Sequence, residues 1–583
     1  MRRWTAVAAL VAAFALVGAA PSLADPGPKK EKLTHVRLLA FNDFHGHLEA
    51  GTPGTLVNPA TGTAVPAGGA EYFSTHMKML GSNDVDTYVV SAGDMIGASP
   101  LLSGLFHDEP TIEVMNQIGV DVHGVGNHEF DEGKAELLRM QYGNQLGGDG
   151  CHPVDGCQDG TPFYGSVFQF LAANVIDTST NNPLLPPYKI VNTSEGEKIA
   201  FVGETLEGTP LIVTPTGVAG LEFLDEADTV NRLVPILKQR QVGTIVLLLH
   251  QGGQQNAPFS KGFMDINACE NFTGPDVLDV VDRLSPEVDL VVSAHTHQPY
   301  VCTFDGRLVT SASSFGRAIT KIDLTIDRRT GDLVDATAVN NVVTQNVEKD
   351  PAITSILAHY KTFSDPIANR VIGSITADIY SARGTVNGTN RAGEQPMGDV
   401  IADGMLEATS PSDFGGAVAA FMNVGGVRAS LLYDQISGGE LPGEVTYAEA
   451  FTVQPFGNTL VVKTCTGQQL YDVLEQQFEN PAAGQQRVMA VSGLTYSYTR
   501  VVPAGQRRVT DGSLKIGGVV VDKAASYRVA MNNFIADGGD GFSVFTTCTN
   551  PLGGEVDIDA FARYLGAHSP VSPPPLDRIT RLD

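Results

Sequence analysis

The stretch VHGVGNHEFD, residues 122–131, joins a short apolar run to a cluster of polar side chains. Four other runs rich in Val, Leu, Ile or Ala end in a similar way, and the polar groups that follow them are NDFHG at 42–46, GD at 93–94, HQGG at 250–253 and SAHTH at 293–297. Such runs predict buried β-strands. Ligands of open α/β folds bind where the strands end. The pattern therefore predicts a layered α/β domain with Asp, His and Asn side chains on one rim.

These rim residues carry the oxygen and nitrogen donors that divalent metal ions prefer. Two ions about 3.5–4 Å apart can clamp a phosphoryl group and generate a hydroxide nucleophile near neutral pH. Such a pair needs a shared carboxylate, and Asp94 is the candidate because it directly follows an apolar run and Gly93 leaves room for close approach. Taken alone, each of these residues is more often a turn or surface residue than a metal ligand. Five such groups, each at the end of an apolar run, favour a metal centre.

The length and charge of the chain narrow its class. A chain of 583 residues is too long for one core, so two or more domains are expected. A net charge of −27 disfavours polynucleotide binding, which relies on Lys and Arg. Arg2 and Arg3, the apolar stretch 6–20 and the small residues 22–24 predict a signal peptide over 1–24. We expect an exported protein, secreted or held in the cell wall or periplasmic space, without a transmembrane anchor.

The cysteine content agrees with export. An even number of cysteines in an exported chain favours disulfides over metal thiolates. The six cysteines lie in three neighbouring pairs along the chain, which predicts the bonds Cys151–Cys157, Cys269–Cys302 and Cys465–Cys548.

A change of pattern near residue 350 predicts two domains. From 34 to 345 apolar strand-like runs alternate with helical patterns, and a linker helix is expected within 346–370, over about 351–362, with Ser364, Asp365 and Pro366 ending it. A second domain with its own core is expected over 371–583. The other helical patterns lie at 70–80, 110–118, 133–142, 227–240, 275–284, 396–408 and 468–478.

The motifs of both halves resemble those of one enzyme family. NDFHG, GD, GNHEFD, LLLHQGG and SAHTH, in this order, resemble the calcineurin-like metallophosphoesterases. N-x-G-G-x-R at 423–428, P-F-G at 455–457 and F-x-x-x-G-G-D-G-F at 534–542 resemble the exported bacterial 5′-nucleotidases and their UDP-sugar hydrolase and ecto-5′-nucleotidase relatives. The resemblance implies a four-layer α/β sandwich followed by a separate α/β or α+β substrate-binding domain.

The resemblance also implies a ligand set for two divalent ions, for which Zn, Mn, Fe or Co are suited. One ion would be held by Asp43, His45 and His297, the other by Asn127, His250 and His295, and both by Asp94. His128 would stabilise the charge that develops on the phosphate or the leaving oxygen. Asp131 would orient His128. A helix N-cap before Glu132 and Gly133 is an equal alternative role for Asp131.

For the second half, the resemblance implies a nucleotide site made of Arg391 and Arg428 for the phosphate, Phe456 and Phe534 for the base, Asp540 for the ribose, and Asn423 for the base or the pocket wall. Arg offers a bidentate fork to phosphate oxygens, and aromatic rings stack on any base. The two domains would approach each other about the linker helix.

The expected activity is hydrolysis of nucleoside 5′-monophosphates to nucleoside and phosphate, by in-line attack of a metal-bound water. The same metal centre would also suit a UDP-sugar pyrophosphatase, or a 2′,3′-cyclic-nucleotide phosphodiesterase with 3′-nucleotidase activity. A nucleoside-binding protein without turnover is an alternative from another class, although it would not need the full ligand set. A thiosulfohydrolase-like relative is disfavoured by the two Phe residues and Asp540. The sequence predicts a small-molecule nucleotide as partner and leaves the oligomeric state open.

Overall fold

The computed structural model describes residues 33–51, 54–382, 390–479, 486–503 and 505–583. The predicted signal peptide, 1–24, lies outside this part of the chain. The first half contains two six-stranded sheets. The spatial order of the first is Leu333–Val342, Ala318–Asp327, Leu33–Phe41, Asp86–Ser91, Val122–Gly124 and Gln169–Leu171. The order of the second is Pro299–Phe304, Arg307–Ala312, Leu290–Ser293, Thr244–Leu249, Lys198–Glu204 and Tyr188–Asn192.

The two sheets pack against each other through their inner faces. Leu38 and Val90 of the first sheet share a buried cluster with Phe201, Val246 and Val292 of the second. Helices cover the outer faces: Ala70–Leu80 and Glu109–Ile118 on the first sheet, Glu226–Gln239 and Pro275–Arg283 on the second. This gives the four layers that the resemblance implied. The central strands of both sheets are parallel neighbours, so their carboxyl ends meet at one rim.

Smaller elements of the first half complete the domain. A two-stranded ribbon pairs Thr55–Val57 with Ala64–Pro66, and a three-stranded one contains Leu221–Phe223, Val175–Asp177 and Asn182–Pro183. Its two other helices are Leu101–Gly104 and Lys134–Tyr142.

A long helix, Pro351–Ala368, follows the first half. Its N-cap Asp350 accepts a hydrogen bond from the Ala352 N–H at 3.1 Å, and Tyr360 packs edge-on against Phe106. The helix contacts helices of both halves. The prediction that this helix ends at Ser364–Pro366 is wrong, since it continues to Ala368. Pro366 lies in the last turn and removes only one backbone hydrogen bond, and the helix face that contains the buried Ser364 stays packed.

The second half is an α/β unit around a five-stranded sheet with the spatial order Ala490–Ser492, Ala419–Met422, Ser526–Asn532, Thr459–Thr466 and Thr549–Val556. Helices Pro396–Thr409 and Asp557–His568 pack on one face and Gly467–Gln476 on the other. Helices Tyr447–Val453 and Asn533–Ala536 lie at its edges. Val371–Ser374 and Glu444–Thr446 form a two-stranded sheet. A small four-stranded sheet has the spatial order Val519–Val520, Lys515–Ile516, Leu494–Tyr498 and Ile579–Arg581. Two buried clusters flank the main sheet, and one of them also includes Leu101 of the first half.

The six cysteines form Cys151–Cys157, Cys269–Cys302 and Cys465–Cys548. The pairing predicted from proximity is therefore confirmed. Among the described residues, no helix combines the length and the apolar character that crossing a membrane would require.

Replacing Cys465 and Cys548 together by alanine is expected to lower the free energy of unfolding by about 4 kcal/mol, since this bond links residues 83 positions apart and restricts the unfolded chain strongly. The matched control is the Cys151→Ala, Cys157→Ala variant. Its bond joins residues only 6 apart, and a loss of about 2 kcal/mol is expected. Urea unfolding followed by circular dichroism measures both losses. Equal losses would contradict the loop-length argument.

Candidate active site

The predicted metal ligands of the first half converge on one rim, each in a loop that follows a strand. The donor atoms of Asp43, His45, Asp94 and His297 lie within 4.8 Å of one another, and those of Asp94, His250 and His295 do so as well. Asp94 belongs to both groups, which is the position that a shared ligand needs. The seventh residue, Asn127, reaches His295 with its Oδ1 atom 3.0 Å from the ring Nδ1.

The ring nitrogens of two histidines have defined partners. His250 Nδ1 donates to the Ala92 carbonyl at 2.9 Å, and its Nε2 lies 3.0 Å from Asp94 Oδ2. His45 Nδ1 donates to the Gly97 carbonyl at 2.8 Å, and its Nε2 lies 3.1 Å from Nε2 of His297. Carbonyl partners of this kind fix the tautomer of metal-binding histidines. With Nδ1 of both rings held by carbonyl groups, the Nε2 atoms near Asp94 and His297 are the ones placed to bind a cation, so the donor set fits divalent metal ions.

The charge of the site leads to the same conclusion. Asp43 and Asp94 are both fully buried, and a buried carboxylate is costly unless a cation compensates it. Burial raises the pKa of the Asp43 carboxyl to about 7 in the polypeptide alone. A bound cation would remove this penalty, which makes the rim a site for positive charge.

The backbone of the rim is strained where it carries ligands. Asp43, His45, Asp94, His295 and His297 all have positive φ values, between 48° and 70°. Such conformations cost of order 1–3 kcal/mol each and are concentrated at functional sites. Two glycines allow the loops to approach. A Cβ on Gly93 would lie 2.3 Å from His250 Nδ1, and one on Gly126 would lie 2.3 Å from Asp94 Oδ1.

Two supporting residues were not predicted from the sequence. The buried Glu129 carboxylate accepts backbone N–H bonds from Asp94, Met95 and Gly126 at 3.1, 2.7 and 2.6 Å, and so ties two ligand loops together. Asn42 Nδ2 donates to Asp43 Oδ2 at 2.5 Å. Glu129 lies inside the GNHEFD motif, whose spacing could have pointed to it.

His128 lies beside the predicted ligands. Its Nδ1 is 2.8 Å from Asp131 Oδ2, and its backbone N–H donates to Asp94 Oδ1 at 2.9 Å. Its ring lies nearly parallel to that of Phe456, with ring centres 6.0 Å apart. The alternative of Asp131 as a helix N-cap is wrong, because the next helix begins at Lys134 with Gly133 in the capping position.

A cavity of about 140 Å³ adjoins this rim. It is lined from the first half by Asn127, His128, Asp131, Ile212, Val213, Thr214 and His295, and from the second half by Asn423, Gly425, Gly426, Arg428, Phe456, Asn458, Arg487, Asn532, Phe534 and Asp540. Five of the six predicted substrate residues therefore surround one space. The Thr209–Leu211 turn also contacts the Gly539–Gly541 turn, so both halves of the chain enclose the cavity.

Polar side chains of the second half form a hydrogen-bonded network in the wall of the cavity. Asn423 Nδ2 donates to Asp540 Oδ2 at 3.1 Å, and Asn532 Nδ2 donates to Asn423 Oδ1 at 3.0 Å. Arg428 faces the rim, with its guanidinium 5.6 Å from the Phe456 ring centre. Burial lowers the pKa of Arg428, while Asp131 and Asp94 act against that shift. The lining of the cavity thus includes both a guanidinium, that of Arg428, and a carboxylate, that of Asp540.

Two arginines differ from expectation. Arg391 does not line the cavity, because its guanidinium donates to the carbonyl of Asp583. Arg487 was not predicted, yet it lines the cavity and forms an ion pair with Asp540. Arg487 lies in none of the sequence motifs described above, so nothing in the sequence pointed to it. Arg391 was predicted from the family resemblance alone.

Comparisons with known proteins agree with this geometry. The sequence model of the calcineurin-like phosphoesterases matches residues 36–299, and that of the 5′-nucleotidase C-terminal domain matches residues 371–547. The cell wall protein Lmo0130 of Listeria monocytogenes is 30% identical over 91% of this chain and 67% of its own length. The chain belongs to the 5′-nucleotidase family. This is a family of phosphoric ester hydrolases, and its calcineurin-like domain implies divalent metal ions.

Other members of the 5′-nucleotidase family resemble the whole chain. The endonuclease YhcR of Bacillus subtilis is 33% identical over 91% of this chain, but the chain spans only 39% of that protein's length. Among solved structures, the 5′-nucleotidase precursor of Thermus thermophilus is similar with a TM-score of 0.71 and 25% identity, covering 94% of this chain and 99% of the other. The resemblance inferred from the motifs is therefore confirmed.

Proposed function

We propose that this chain hydrolyses nucleoside 5′-monophosphates to nucleoside and phosphate, using two divalent metal ions. The observation that carries the proposal is the single cavity described above. It is lined by Asn127 and His295 of the rim, by the rings of Phe456 and Phe534 and by the carboxylate of Asp540. A 5′-nucleotide consists of a phosphate, a ribose and a base, which suits this set of groups.

When bound, the ions would supply a nucleophile near neutral pH and neutralise the phosphate oxygens. We assign Asp43, His45 and His297 to one ion, Asn127, His250 and His295 to the other, and Asp94 to both. Zn, Mn and Co suit this mixture of imidazole, carboxylate and amide donors.

The chain's own residues would bind and orient the substrate. Arg428, which lines the cavity, can donate two parallel hydrogen bonds to phosphate oxygens. Asp131 holds Nδ1 of His128, which leaves Nε2 as the nitrogen that can donate to the leaving oxygen. Phe456 and Phe534 would stack on the base, and Asp540 would accept hydrogen bonds from the ribose hydroxyls. Arg487 must then share Asp540 with the ribose.

The substrate class is tested with a panel of phosphoesters. The metal-depleted full-length protein is reconstituted separately with Zn, Mn and Co, and AMP, UDP-glucose and 2′,3′-cyclic AMP are supplied at matched concentrations. Products are separated by chromatography, because UDP-glucose would give UMP and glucose 1-phosphate, and the cyclic nucleotide a nucleoside monophosphate, without free phosphate. We expect conversion of AMP to adenosine and phosphate to be fastest. A preference for UDP-glucose or the cyclic nucleotide would assign the centre to one of the two alternative reactions, and binding without turnover would reject the enzyme.

Replacing Phe534 by alanine is expected to raise KM for AMP about tenfold or more, because base stacking on an aromatic ring is worth about 1–3 kcal/mol. Turnover of p-nitrophenyl phosphate, which lacks a nucleoside, should stay within about twofold. The matched control is Phe414→Ala, since Phe414 is 62% exposed and does not line the cavity. Equal effects on both substrates would show that Phe534 supports the fold rather than the base.

We also propose that the domains follow the predicted division, 34–345, 346–370 and 371–583, and that the protein is exported. Export is supported by the signal-peptide pattern at 1–24, by three disulfides and by similarity to a protein named as a cell wall protein. Cell fractionation with detection of the mature N-terminus tests export. Protein found only in the cytoplasm with residues 1–24 intact would contradict it.

A further inference from the structure

A second cluster of metal-binding side chains lies outside the proposed catalytic centre. It contains His107, Glu132, His152 and Asp155. His107 Nδ1 is 2.8 Å from Glu132 Oε2, and His107 Nε2 is 2.8 Å from Asp155 Oδ2. His152 Nδ1 is 3.4 Å from the same Asp155 oxygen. Donor atoms of His107, Glu132 and His152 all lie within 4.8 Å of one another. Two imidazoles and one carboxylate are a donor set that suits zinc, cobalt or nickel.

The backbone holds these side chains in place. His107 and Asp108 both have positive φ values, 50° and 63°, which are uncommon for residues other than glycine. The Asp108 carboxylate fixes this turn by accepting hydrogen bonds from the Gly97 N–H at 3.0 Å and from the Ser103 hydroxyl at 2.6 Å. His152 and Asp155 lie in a short loop closed by the Cys151–Cys157 disulfide. The four side chains are therefore presented by constrained segments.

The charge around the cluster is unbalanced in favour of a cation. Within the part of the chain that the structure describes, the ion-pair partners of Glu132 and Asp155 are His107 and His152 alone. The nearby Arg139 pairs with Glu109 and Glu136 instead. A proton on His107 can supply one positive charge: burial lowers the pKa of His107, but Glu132 and Asp155 raise it to about 9. A divalent ion would supply two charges and displace that proton.

The cluster also adjoins the catalytic residues. Glu132 directly follows Asp131, which holds His128. A second, smaller cavity is lined by His107, Glu132, Asp131 and His128 together. An ion at the cluster would thus lie near Asp131 and His128.

We propose that His107, Glu132 and His152 form a further divalent-cation site, distinct from the centre at Asp94 and suited to imidazole-binding metals such as zinc, with Asp155 holding Nε2 of His107. The two imidazole rings are stacked, with centres 3.7 Å apart and planes 15° from parallel. Nitrogen lone pairs lie in the ring plane, so the rings must turn apart to bind one ion. Binding is therefore accompanied by loss of the stack and release of a proton.

The test counts metal ions on the full-length protein and does not depend on its substrate. Wild type, His107→Gln/His152→Gln and a matched control, His568→Gln, are dialysed against micromolar free zinc, and bound zinc is measured by mass spectrometry. His568 is a suitable control because it also contacts a carboxylate, that of Glu407 at 2.6 Å, but lies in the helix Asp557–His568 of the second half. We expect the double variant to bind one zinc fewer than wild type and the control to bind the same number.

A second variant separates the two centres. Asp94→Asn should lose zinc from the catalytic rim while keeping the ion that the His107/His152 variant loses, so the combined variant should lose both. Zinc addition to wild type depleted of metal should release a proton that the His107→Gln/His152→Gln variant does not release. Equal zinc content in wild type and the double variant would overturn the proposal, and the cluster would then be only an imidazolium bridge between two carboxylates.

Discussion

Replacing Asp94 by asparagine is expected to reduce kcat/KM for AMP by at least about 10³-fold, because the metal pair supplies several kcal/mol of stabilisation to the transition state and each 1.4 kcal/mol corresponds to tenfold. Asp94 is the one residue common to both groups of donors. An amide in its place offers one neutral oxygen and cannot compensate two cations. Initial rates and bound metal, measured on the same preparations, should fall together.

A matched control separates this effect from general damage to the sheet. Asp289 is a partly buried aspartate whose carboxylate accepts the Ile245 N–H at 2.8 Å. It lies at the opposite end of the parallel strands, just before Leu290–Ser293. Asp289→Asn should keep its metal and most of its turnover. An Asp94→Asn protein that retained both ions and near-normal turnover would remove Asp94 from the centre.

Replacing His128 by alanine is expected to lower kcat by about 10²–10³-fold, the usual cost of removing one donor that stabilises the developing charge. Metal content should not change, because the hydrogen bond from His128 to the proposed ligand Asp94 comes from the backbone N–H, which alanine keeps. Rates and bound metal are measured as for Asp94→Asn. This combination of lost turnover and retained metal distinguishes the two variants.

Two further variants test how His128 acts. Asp131→Asn should show a smaller loss, since it leaves the imidazole in place but removes the carboxylate 2.8 Å from Nδ1. His76→Ala is the control, because His76 is buried and bonds the Thr344 carbonyl away from the rim. Normal turnover in His128→Ala would exclude a direct part in the chemistry.

The rim could be predicted from the sequence because its residues follow apolar strands directly. Parallel strands bring their carboxyl ends to one edge, so the short motifs at Asp43, Asp94 and His250 specify a position in space as well as in the chain. The cysteine pairs were predictable for a related reason, since proximity along the chain sufficed. In these cases the local pattern contains the tertiary information.

The cavity could be predicted only in part, because its walls come from distant loops. Phe456, Phe534 and Asp540 lie in motifs, whereas Arg487 and Ile212 reach the cavity through chain paths that no local pattern encodes. Arg391 illustrates the opposite case, since the family resemblance implied a phosphate contact but its guanidinium donates to the Asp583 carbonyl and does not line the cavity. The end of the helix at Ala368 could not be predicted, because packing of the last turn outweighs the tendency of Pro366 to end a helix.

The division of the cavity between two halves of the chain has an evolutionary consequence. The groups proposed to break the phosphoester bond belong to the first half, whereas most of the groups proposed to recognise the nucleoside belong to the second. Mutations in the second half could thus alter which compound is accepted without disturbing the reaction itself. Proteins with this architecture can therefore diverge in substrate specificity through changes in the second half, while the residues of the metal centre in the first half stay the same.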